Sequence, residues 1–443
     1  MKQRMGALLL SGAMMLSLCA CTSTQTSPSA NPSAVPSGSA GSSLLPLQAV
    51  EYPEGIPFDD LERQLALREE NPVAEATVDA VNRFSYETAV SLLKGKDSGN
   101  YSPISLYFAL ALCSTGARDE TQEELLKVLG ISDAETLAKE CSNLYRVMNT
   151  DNEITKLKIN NSVWLNEGVN CKESFLNTAA SKLYSEIYRL NFGDAETGKA
   201  MGQWIADHTN GTLAPELEVE PEQLLHLINT VYFCDQWVDQ FDADKTAAGV
   251  FHGTAGEETI DFMNRTDSSH GFVKNDQFVR SSLGLKGGNT MIFVLPTEGH
   301  SVEEFLTSSE ALQTVLEGGE GSSGEVVWKL PKFSIEAKYN CKEMLKNLGV
   351  SSAFSQAANF SGITNSLAYL DSVVQETYLG VNENGVEASA FTDIAYAGAA
   401  MPTDKAEMIL DRPFLYAVQN SNGVILFVGV YQGGAGEELS SAN

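Results

Sequence analysis

Apolar residues in the first half of the chain recur at the spacing of an α-helix. Between Val78 and Leu93 they fall near one face at intervals of three and four residues, which predicts an amphipathic helix. The residues on that face are Val78, Val81, Phe84, Ala89, Leu92 and Leu93. A second helix is expected to begin after Ser102, because Pro103 would then occupy the first turn, where the missing N–H of proline costs nothing.

Three more helices are predicted from their start and stop signals. Thr121 and Glu124 have the spacing of a capping box just before an apolar pair, which predicts a helix start at Thr121. The other two helices each end at a glycine, which adopts the left-handed conformation of a helix C-terminus without strain. They are Met201–Asn210 before Gly211 and Cys341–Leu348 before Gly349.

Short apolar runs dominate the second half of the chain and predict β-strands. The predicted strands cover 159–165, 224–233, 290–295, 326–331, 333–336 and 424–431. The run 224–233 does not alternate, which is typical of a strand buried on both faces. Helices dominate early and strands late, with no regular alternation of the two, so the pattern favours an α+β fold with antiparallel or mixed sheets over a doubly wound fold. No repeat and no linker interrupts the chain after residue 76, which favours one large domain.

The segment 381–401 combines two patterns. Asn382 to Gly385 have turn chemistry, and the next eleven residues alternate with period two as in a strand. Val386, Ala388, Ala390, Thr392, Ile394 and Tyr396 share one face, and Glu387, Ser389, Phe391, Asp393 and Ala395 share the other. The stretch that follows, 397–400, is small and uncharged, as in an exposed loop tip. A segment that can be loop or strand is a candidate conformational switch; the alternative is a half-buried edge strand followed by a loop.

The first twenty residues have the features of an export signal. Lys2 and Arg4 precede the uncharged stretch Met5–Ala20, which is shorter than the roughly 20 residues that span a bilayer, so a signal peptide over 1–20 is favoured. The end of this stretch, Leu18–Cys21, resembles the bacterial lipobox, in which the last cysteine receives a lipid. The alternative is a plain signal peptide cleaved after Ala20, with Cys21 left as an exposed thiol.

The rest of the N-terminal region predicts a tether. Residues 22–43 carry no charge and are almost all Ser, Thr, Pro, Gly or Ala, so the segment cannot bury apolar area. We therefore expect a flexible, lipid-anchored linker over 21–48, a loose acidic lead-in over 49–75, a folded domain over 76–434 and a disordered tail over 435–443. The expected location is the outer face of a bacterial membrane or the cell surface. The alternative is release of the protein into the medium.

The charge balance excludes several partners. The 443 residues include 29 Lys and Arg against 58 Asp and Glu, a formal net charge of −29, which disfavours nucleic acid and docking on anionic lipid. Few basic residues, among them Lys139 and Arg146, lie between the early helices and the predicted strand at 159, so no heparin site is expected.

Five cysteines beyond Cys21 lack CxxC spacing and are odd in number, so we expect inert buried thiols rather than disulfides or zinc; they are Cys113, Cys141, Cys171, Cys234 and Cys341.

Motifs of cofactor and catalytic chemistry are missing from the sequence. There is no GxxxxGK[ST], HExxH, EF-hand or GxSxG motif. The five histidines never stand four residues apart, so we expect no metal site, no cofactor and no catalytic base among them; they are His208, His226, His252, His270 and His300. The missing motifs therefore give no support for an enzyme, and the family resemblance described next implies a protein that is not one.

A series of ordered motifs resembles the serpin family from about residue 78 to residue 431. The run Asn359–Ile363, Asn-Phe-Ser-Gly-Ile, is the most recognisable of them. The others are Asn100–Leu106, Thr115–Ala117, Thr121–Leu125, Asn161–Trp164, Trp204, Thr209–Gly211, Leu227–Phe233 with Trp237, Leu330–Phe333, Leu348-Gly349, Ala353-Phe354, Arg412–Tyr416 and Ile425–Gly429. The resemblance implies a single-domain serpin fold with three mixed or antiparallel sheets, about eight or nine helices and an exposed reactive-centre loop.

The resemblance also assigns residues to the parts of a serpin that move. The hinge of the loop would be Glu383, Gly385, Val386, Glu387, Ala388, Ser389 and Ala390. The shutter, where the large sheet opens, would be Ser102, Ser105, Asn229 and Gln375, and the breach at the top of that sheet would contain Trp237. The bond cut by the protease lies about sixteen residues beyond Glu383 in the family, which places it at Ala399–Ala400 with a margin of two or three residues.

The implied activity is suicide inhibition of a serine protease. The protease would attack the loop and form an acyl-enzyme, and the cut loop would then insert as a new strand of the large sheet, which is the established behaviour of serpins. Residues 397–401 are small or unbranched, and no Lys or Arg lies between Val381 and Pro402. The implied partner is therefore an elastase-like protease held in a covalent complex, and the inhibitor itself is expected to be a monomer.

Three residues depart from the family pattern. Val386 replaces the usual Thr or Ser at the first inserting position, Phe391 is bulkier than usual, and Gln375 stands where many members have a histidine. The alternative functions are a non-inhibitory serpin that acts as a binding module, a serine hydrolase, and a solute-binding lipoprotein. The missing nucleophile motif disfavours the hydrolase, and the late strands disfavour the α/β solute-binding fold.

Overall fold

A computed structural model describes residues 44–387 and 404–434. The described residues form ten α-helices: α1 (Leu61–Glu70), α2 (Glu75–Leu93), α3 (Pro103–Gly116), α4 (Asp119–Leu129), α5 (Ala134–Met148), α6 (Glu173–Lys182), α7 (Glu196–His208), α8 (Val302–Phe305), α9 (Ser309–Glu317) and α10 (Lys342–Asn347). Two short 3-10 helices cover Ala243–Lys245 and Ser352–Phe354. In the same residues no helix is both long enough and apolar enough to cross a membrane.

The same part of the chain forms sixteen strands. They are β1 (Gly99–Tyr101), β2 (Thr150–Asp151), β3 (Lys156–Asn166), β4 (Ser185–Leu190), β5 (Leu225–Gln236), β6 (Ala247–Gly253), β7 (Gly256–Lys274), β8 (Phe278–Gly284), β9 (Thr290–Pro296), β10 (Gly321–Pro331), β11 (Phe333–Asn340), β12 (Val373–Asn382), β13 (Gly385–Val386), β14 (Asp404–Ile409), β15 (Phe414–Gln419) and β16 (Ile425–Tyr431). Each of the six strand regions predicted from the sequence overlaps one of these strands.

The described strands hydrogen-bond into two mixed sheets. The nine-stranded sheet has the order β1-β16-β15-β9-β8-β7-β10-β14, with β6 paired to β7. The seven-stranded sheet has the order β11-β12-β13-β5-β3-β2, with β4 paired to β3 and β12 also paired directly to β5. The α+β fold is confirmed. The described strands join into two sheets where three were expected, because the 19-residue strand β7 pairs with β6, β8 and β10 and makes them continuous.

Helix α3 forms the centre of the core. Thirteen of its fourteen residues are buried, and it contacts both β5 of the seven-stranded sheet and β16 of the nine-stranded sheet. A helix that is apolar on all sides has to be buried in this way. It begins at Pro103, as predicted. The predicted helix at 78–93 is also present as α2, which begins three residues earlier.

The predicted capping box at Thr121 is wrong. Helix α4 begins at Asp119, so Thr121 lies in its first turn. The Glu124 carboxylate accepts hydrogen bonds from the backbone N–H groups of Ser351 at 2.9 Å and Ser352 at 2.8 Å. The spacing of a capping box is present, but a distant segment of the chain supplies two backbone N–H groups that bond the Glu124 carboxylate instead.

The acidic lead-in is more ordered than the sequence suggested. Residues 61–70 form α1, whose first turn is capped by the Asp60 side chain. Upstream, the Leu47 N–H donates to the Ile187 carbonyl of β4 at 2.6 Å, and Tyr52 donates to the Glu186 carboxylate at 3.3 Å. Contacts with the folded domain therefore begin at the described end of the predicted linker. Residues 1–43, with Cys21, and the tail 435–443 lie outside the described residues.

The thiols in the described residues are all free, and burial raises their pKa. Cys113, Cys141 and Cys341 are buried, as expected, whereas Cys171 and Cys234 are half-buried. Burial raises the pKa of Cys113 and Cys341 to about 12. Thiols with such a high pKa are unreactive at neutral pH.

Candidate functional site

Strands β5 and β12 of the seven-stranded sheet are neighbours at one end only. At that end they pair in parallel, residues 227–230 against 373–376. At the other end β13 lies between them, with Val386 opposite Val381 of β12 and opposite Asp235 of β5. We call the junction between β5 and β12 the seam. A short segment of the predicted hinge therefore already occupies one end of the seam.

Local chemistry brings the hinge into this position. The Asn382 side chain accepts from the backbone N–H groups of Asn384 at 2.9 Å and Gly385 at 3.3 Å, which makes the tight turn predicted from the sequence. Gly385 has φ of +155°, and a Cβ added there would lie 2.1 Å from the Asp235 carbonyl oxygen. Only glycine fits between the two strands at this level. Val386 follows and is fully buried.

Glu387 is the last hinge residue that the structure describes. Its N–H donates to the Gly380 carbonyl at 2.9 Å, so the pairing with β12 continues past Val386. On the other side the Cys234 thiol donates to the Glu387 carbonyl at 3.5 Å. Burial raises the pKa of the Glu387 carboxyl to about 8. Ala388, Ser389, Ala390 and the predicted reactive bond Ala399–Ala400 lie outside the described residues.

Glu383 anchors the turn before the hinge. Its carboxylate accepts from the Thr246 hydroxyl at 2.8 Å and lies 3.3 Å from Lys332 Nζ. Burial acts to raise the pKa of this carboxyl, but the hydrogen bonds and the Lys332 charge outweigh it and hold the pKa below its usual value. The Phe241 N–H also donates to the Glu383 carbonyl at 3.0 Å. The turn is therefore tied to the segment after β5 through both its backbone and its side chain.

Trp237 lies against the same turn. Its indole N–H donates to the Asn382 carbonyl at 2.9 Å, and its backbone N–H donates to the Asn384 carbonyl at the same distance. The side chain is fully buried, with its ring edge-on to Phe241. The structure thus places the predicted breach residue directly at the turn that leads into the hinge.

Asp235 is a buried carboxylate that the sequence reasoning missed. It lies beyond the end of the predicted strand 224–233, but β5 continues to Gln236. Its carboxylate accepts from Thr155 Oγ1 and Asn289 Nδ2, each at 2.8 Å, and from the Gly287 N–H at 3.1 Å. Burial raises the pKa of Asp235 to about 6 even against these hydrogen bonds, which act to lower it. No local signal marks it, because its donors come from distant segments.

The four predicted shutter residues meet at the other end of the seam. Gln375 Nε2 donates to the Ser102 carbonyl at 2.8 Å, and the Ser102 N–H donates to Gln375 Oε1 at 3.1 Å. The Ser105 hydroxyl donates to Asn229 Oδ1, which lies 3.4 Å from Gln375 Nε2. All four residues are buried. The network joins the N-terminus of α3 to both strands of the seam.

Asn161 extends the network to a third strand. Asn229 Nδ2 donates to Asn161 Oδ1 at 2.6 Å, which links β5 to β3 across the sheet. Asn161 is fully buried. The sequence did contain a signal for it, since two adjacent asparagines interrupt the apolar strand at 160–161. A buried polar side chain in such a strand needs a partner.

Helix α7 covers the opposite face of the seam from α3. Trp204 and Ile205 of α7 pack with Ile228 of β5 in a cluster separate from the main core. Trp204 Nε1 donates to the Glu186 carboxylate at 2.5 Å, which fastens α7 to β4. α7 begins five residues earlier than predicted and ends at His208. Within the described residues, no group of three or more His, Cys, Asp or Glu side chains is arranged to hold a metal ion.

The seam is the feature of the fold and the site that defines the class of protein. Two strands pair at one end, separate at the other, and hold the first residues of a following segment between them. Residues 79–432 match the family model described as Serpin (serine protease inhibitor). The chain belongs to the serpin family, which the matching model describes as serine protease inhibitors and not as enzymes.

Known relatives agree with this membership. The chain is 28% identical over 375 residues to an uncharacterised serpin-like protein of Thermococcus kodakarensis, covering 82% of this chain and 85% of that protein. It is 28% identical over 347 residues to alpha-1-antitrypsin of Meriones unguiculatus, covering 74% and 82%. Its structure is similar to native tengpin, a thermophilic serpin, with a TM-score of 0.74, 26% identity and coverage of 82% and 95%.

Proposed function

We propose that this protein inhibits serine proteases of elastase-like specificity by loop cleavage, acyl-enzyme trapping and insertion of the cleaved loop into the seam. The observation that carries the proposal is the pairing of Gly385 and Val386 with β12 on one side and β5 on the other. Insertion has begun at the hinge, and the remaining alternating residues can follow in the same direction.

The chemistry belongs to the protease, and the inhibitor supplies the bond and the trap. The serine hydroxyl of the protease attacks the carbonyl carbon of Ala399, the bond to the Ala400 nitrogen breaks, and that nitrogen takes up a proton. The product is an ester between Ala399 and the protease serine. Insertion then carries this ester along the sheet with the protease attached, which distorts the protease active site before water can release it.

The free energy for this movement comes from pairing on two edges. About ten new backbone hydrogen bonds at about 0.5–1.5 kcal/mol each give roughly 5–15 kcal/mol, before the cost of ordering the loop. The four residue pairs that join β5 and β12 are lost, but each strand regains a partner in the inserted segment. Val386 is already fully buried in the intact protein, so its burial adds nothing to the free energy of insertion.

The loop tip supports the choice of protease. No Lys or Arg lies between Val381 and Pro402, and residues 397–401 are Ala, Gly, Ala, Ala and Met. A protease with a small apolar pocket accepts such residues, whereas trypsin requires a cation. The specificity is therefore proposed from the sequence of the loop.

Incubation with pancreatic elastase and, separately, with trypsin tests the function. We expect a covalent complex with elastase that survives denaturing gel electrophoresis, and slower association with trypsin. Cleavage without any stable complex would favour the alternative, a non-inhibitory serpin that acts as a binding module. Faster association with trypsin than with elastase would overturn the proposed specificity.

We also propose that a lipid on Cys21 holds the protein at the outer face of a bacterial membrane. The lipobox-like sequence and the uncharged tether behind it support this location. When the full chain is expressed in a bacterium with a labelled fatty acid, the label should appear in the protein and be lost in Cys21→Ser. The matched control Cys19→Ser should keep the label; equal labelling of Cys21→Ser would overturn the anchor.

A further inference from the structure

The two ends of the seam fix one register for an inserted loop. At the hinge, Gly385 lies opposite Gln236 and Asn382, and Val386 lies opposite Asp235 and Val381. In an antiparallel pairing each step forward along the loop is one step back along both neighbours. The Glu387 N–H continues this pairing with the Gly380 carbonyl. Glu387 itself has φ of +51°, so its backbone has to become extended before the rest of the loop can follow.

The same rule agrees with the pairing at the far end of the seam. Position 392 of the loop would lie opposite Asn229 on one side and opposite Gln375 on the other. Asn229 and Gln375 are partners in the existing parallel pairing of β5 and β12. The register set by the hinge is therefore the same as the register of the end where β5 and β12 pair directly, and no bulge is needed between the two ends.

This register also determines which sheet residues lie beside the loop side chains on the face opposite to Val386. Phe391 would lie opposite Thr230 and Glu376, which are also partners of each other in the closed pairing. The next outward position, 393, would lie opposite Ile228 and Val374. Ile228 belongs to the cluster beneath α7, so the outward side chains at these levels enter the space between the seam and α7.

That space is not filled in the intact protein. A cavity of about 120 Å³ lies between α7 and the closed end of the seam. Its lining includes Ile205, Leu217, Ile228, Val374 and Glu376, with His226 at a polar end. A dry cavity of about 150 Å³ is large enough to bind benzene, so this one is close to the size of a phenyl ring, and opening of the seam widens it.

We propose that this cavity receives the phenyl ring of Phe391 when the cleaved loop inserts between β5 and β12. Before the loop, the described residues end at Glu387, four residues before Phe391. On β5, Thr230 likewise lies four residues from Cys234, the position opposite Glu387. The register therefore places Phe391 beside Glu376, one of the residues that line the cavity. Asp393 would follow toward the polar end, where His226 and Gln223 lie.

The inference rests on the proposed function and adds a role to a residue that departs from the family pattern. A bulky side chain so near the hinge would hinder insertion if it met a tightly packed helix. Here it would lie beside Thr230 and Glu376, next to unfilled space whose apolar wall is formed by Ile205, Leu217 and Val374. Phe391 is thus a packing residue of the inserted form, and α7 keeps an apolar contact with the sheet after the seam opens.

The test compares melting temperatures of intact and elastase-cleaved protein at one scan rate. Wild-type protein should melt tens of degrees higher after cleavage. Phe391→Ala should lower the melting temperature of the cleaved form by several degrees more than that of the intact form, because only the inserted ring fills the cavity. Leu367→Ala, which shortens an exposed apolar side chain outside the seam, is the control and should leave the gain on cleavage unchanged.

A second pair of variants tests the cavity itself. Val374→Phe fills the cavity from the sheet side, so it should lower the gain on cleavage when Phe391 is present. Combined with Phe391→Ala it should restore part of that gain. An equal loss in intact and cleaved Phe391→Ala, or no loss in either, would overturn the inference. If cleavage does not stabilise the wild type, the proposed function fails instead.

Discussion

The side-chain amide of Gln375 bonds the backbone of Ser102 in both directions, donating to its carbonyl at 2.8 Å and accepting from its N–H at 3.1 Å. A histidine has two ring nitrogens that could meet the same two groups, but glutamine offers a donor and an acceptor on one planar amide. The departure from the family pattern at this position therefore keeps the connection between α3 and the seam.

We predict that Gln375→Leu lowers the stability of the intact protein by about 2–4 kcal/mol. Leucine has a similar volume but leaves the buried N–H and carbonyl of Ser102 without this partner. The measurement is a thermal melt at a fixed scan rate, because serpin unfolding is expected to be irreversible. The control is Gln419→Leu, which removes only a bond to the Gly423 carbonyl of a half-buried turn. Equal shifts for the two variants would contradict the prediction.

Gly385→Ala should expel the hinge from the seam. The added Cβ would lie 2.1 Å from the Asp235 carbonyl oxygen and 2.8 Å from the Gln236 Cα, so the backbone has to move. We expect a loss of roughly 1–3 kcal/mol in the intact protein and more inhibitor cleaved for each complex formed with elastase. Gly271→Ala is the control, because a Cβ there meets nothing within 4 Å. An unchanged ratio of cleaved to complexed inhibitor would refute this role of Gly385.

Ala388→Arg should convert the inhibitor into a substrate. The register places position 388 opposite Phe233 and Leu379, both buried in the main core, and a charge buried there without a partner costs several kcal/mol. Cleavage should persist, because the loop tip is unchanged, while the covalent complex disappears from the gel. Ala390→Glu should act in the same way.

The matched control for these two variants is Ser389→Arg. Position 389 lies on the other face, where the new cation would be near the Glu387 carboxyl, so the complex should still form. A full yield of complex with Ala388→Arg would rule out strand insertion as the mechanism. Loss of the complex in Ser389→Arg as well would show that any charge near the hinge is harmful, whichever face carries it.

The intact protein should become less stable as the pH rises from 6 to 8. The pKa of Glu387 is about 8 in the folded protein and about 4.3 in an unfolded chain. Between these values the folded state binds a proton that the unfolded state lacks, so stability falls as the pH rises. Asp235, with a pKa of about 6, contributes in the same direction mainly below pH 6. His226, whose pKa is lowered by burial, contributes in the opposite direction near pH 6, so the contribution of Glu387 is isolated by comparison with a variant at that position.

Glu387→Gln should flatten this dependence. The amide cannot ionise, so the melting temperature of the variant should change less between pH 6 and 8 than that of the wild type. The titratable neighbours are Tyr232, Cys234 and Tyr378, all with a raised pKa and therefore neutral in this window. Glu298→Gln, at an exposed turn, should leave the wild-type dependence intact. Parallel curves for wild type and Glu387→Gln would contradict the assignment.

Much of the fold and of the shutter could be predicted from the sequence. The spacing of apolar residues placed α2 and the strands, Pro103 placed the start of α3, and the ordered motifs placed the four shutter residues in one family pattern. The alternation after Gly385 predicts which loop side chains share a face, and beyond Glu387 that stretch lies outside the described residues. These features depend on local periodicity and steric limits, which a sequence displays directly.

Only the tertiary structure determines which buried polar groups form hydrogen bonds with each other. Thr121 and Glu124 have the spacing of a capping box, yet the carboxylate bonds Ser351 and Ser352, more than 220 residues away. Asp235 ends an apolar run in the sequence, yet three distant donors allow it to be buried inside β5. The register of the seam and the cavity beneath α7 likewise arise from elements far apart in the chain. Local pattern determines which segments are helix or strand, whereas long-range pairing determines which buried polar groups find partners and where space is left for a strand to enter.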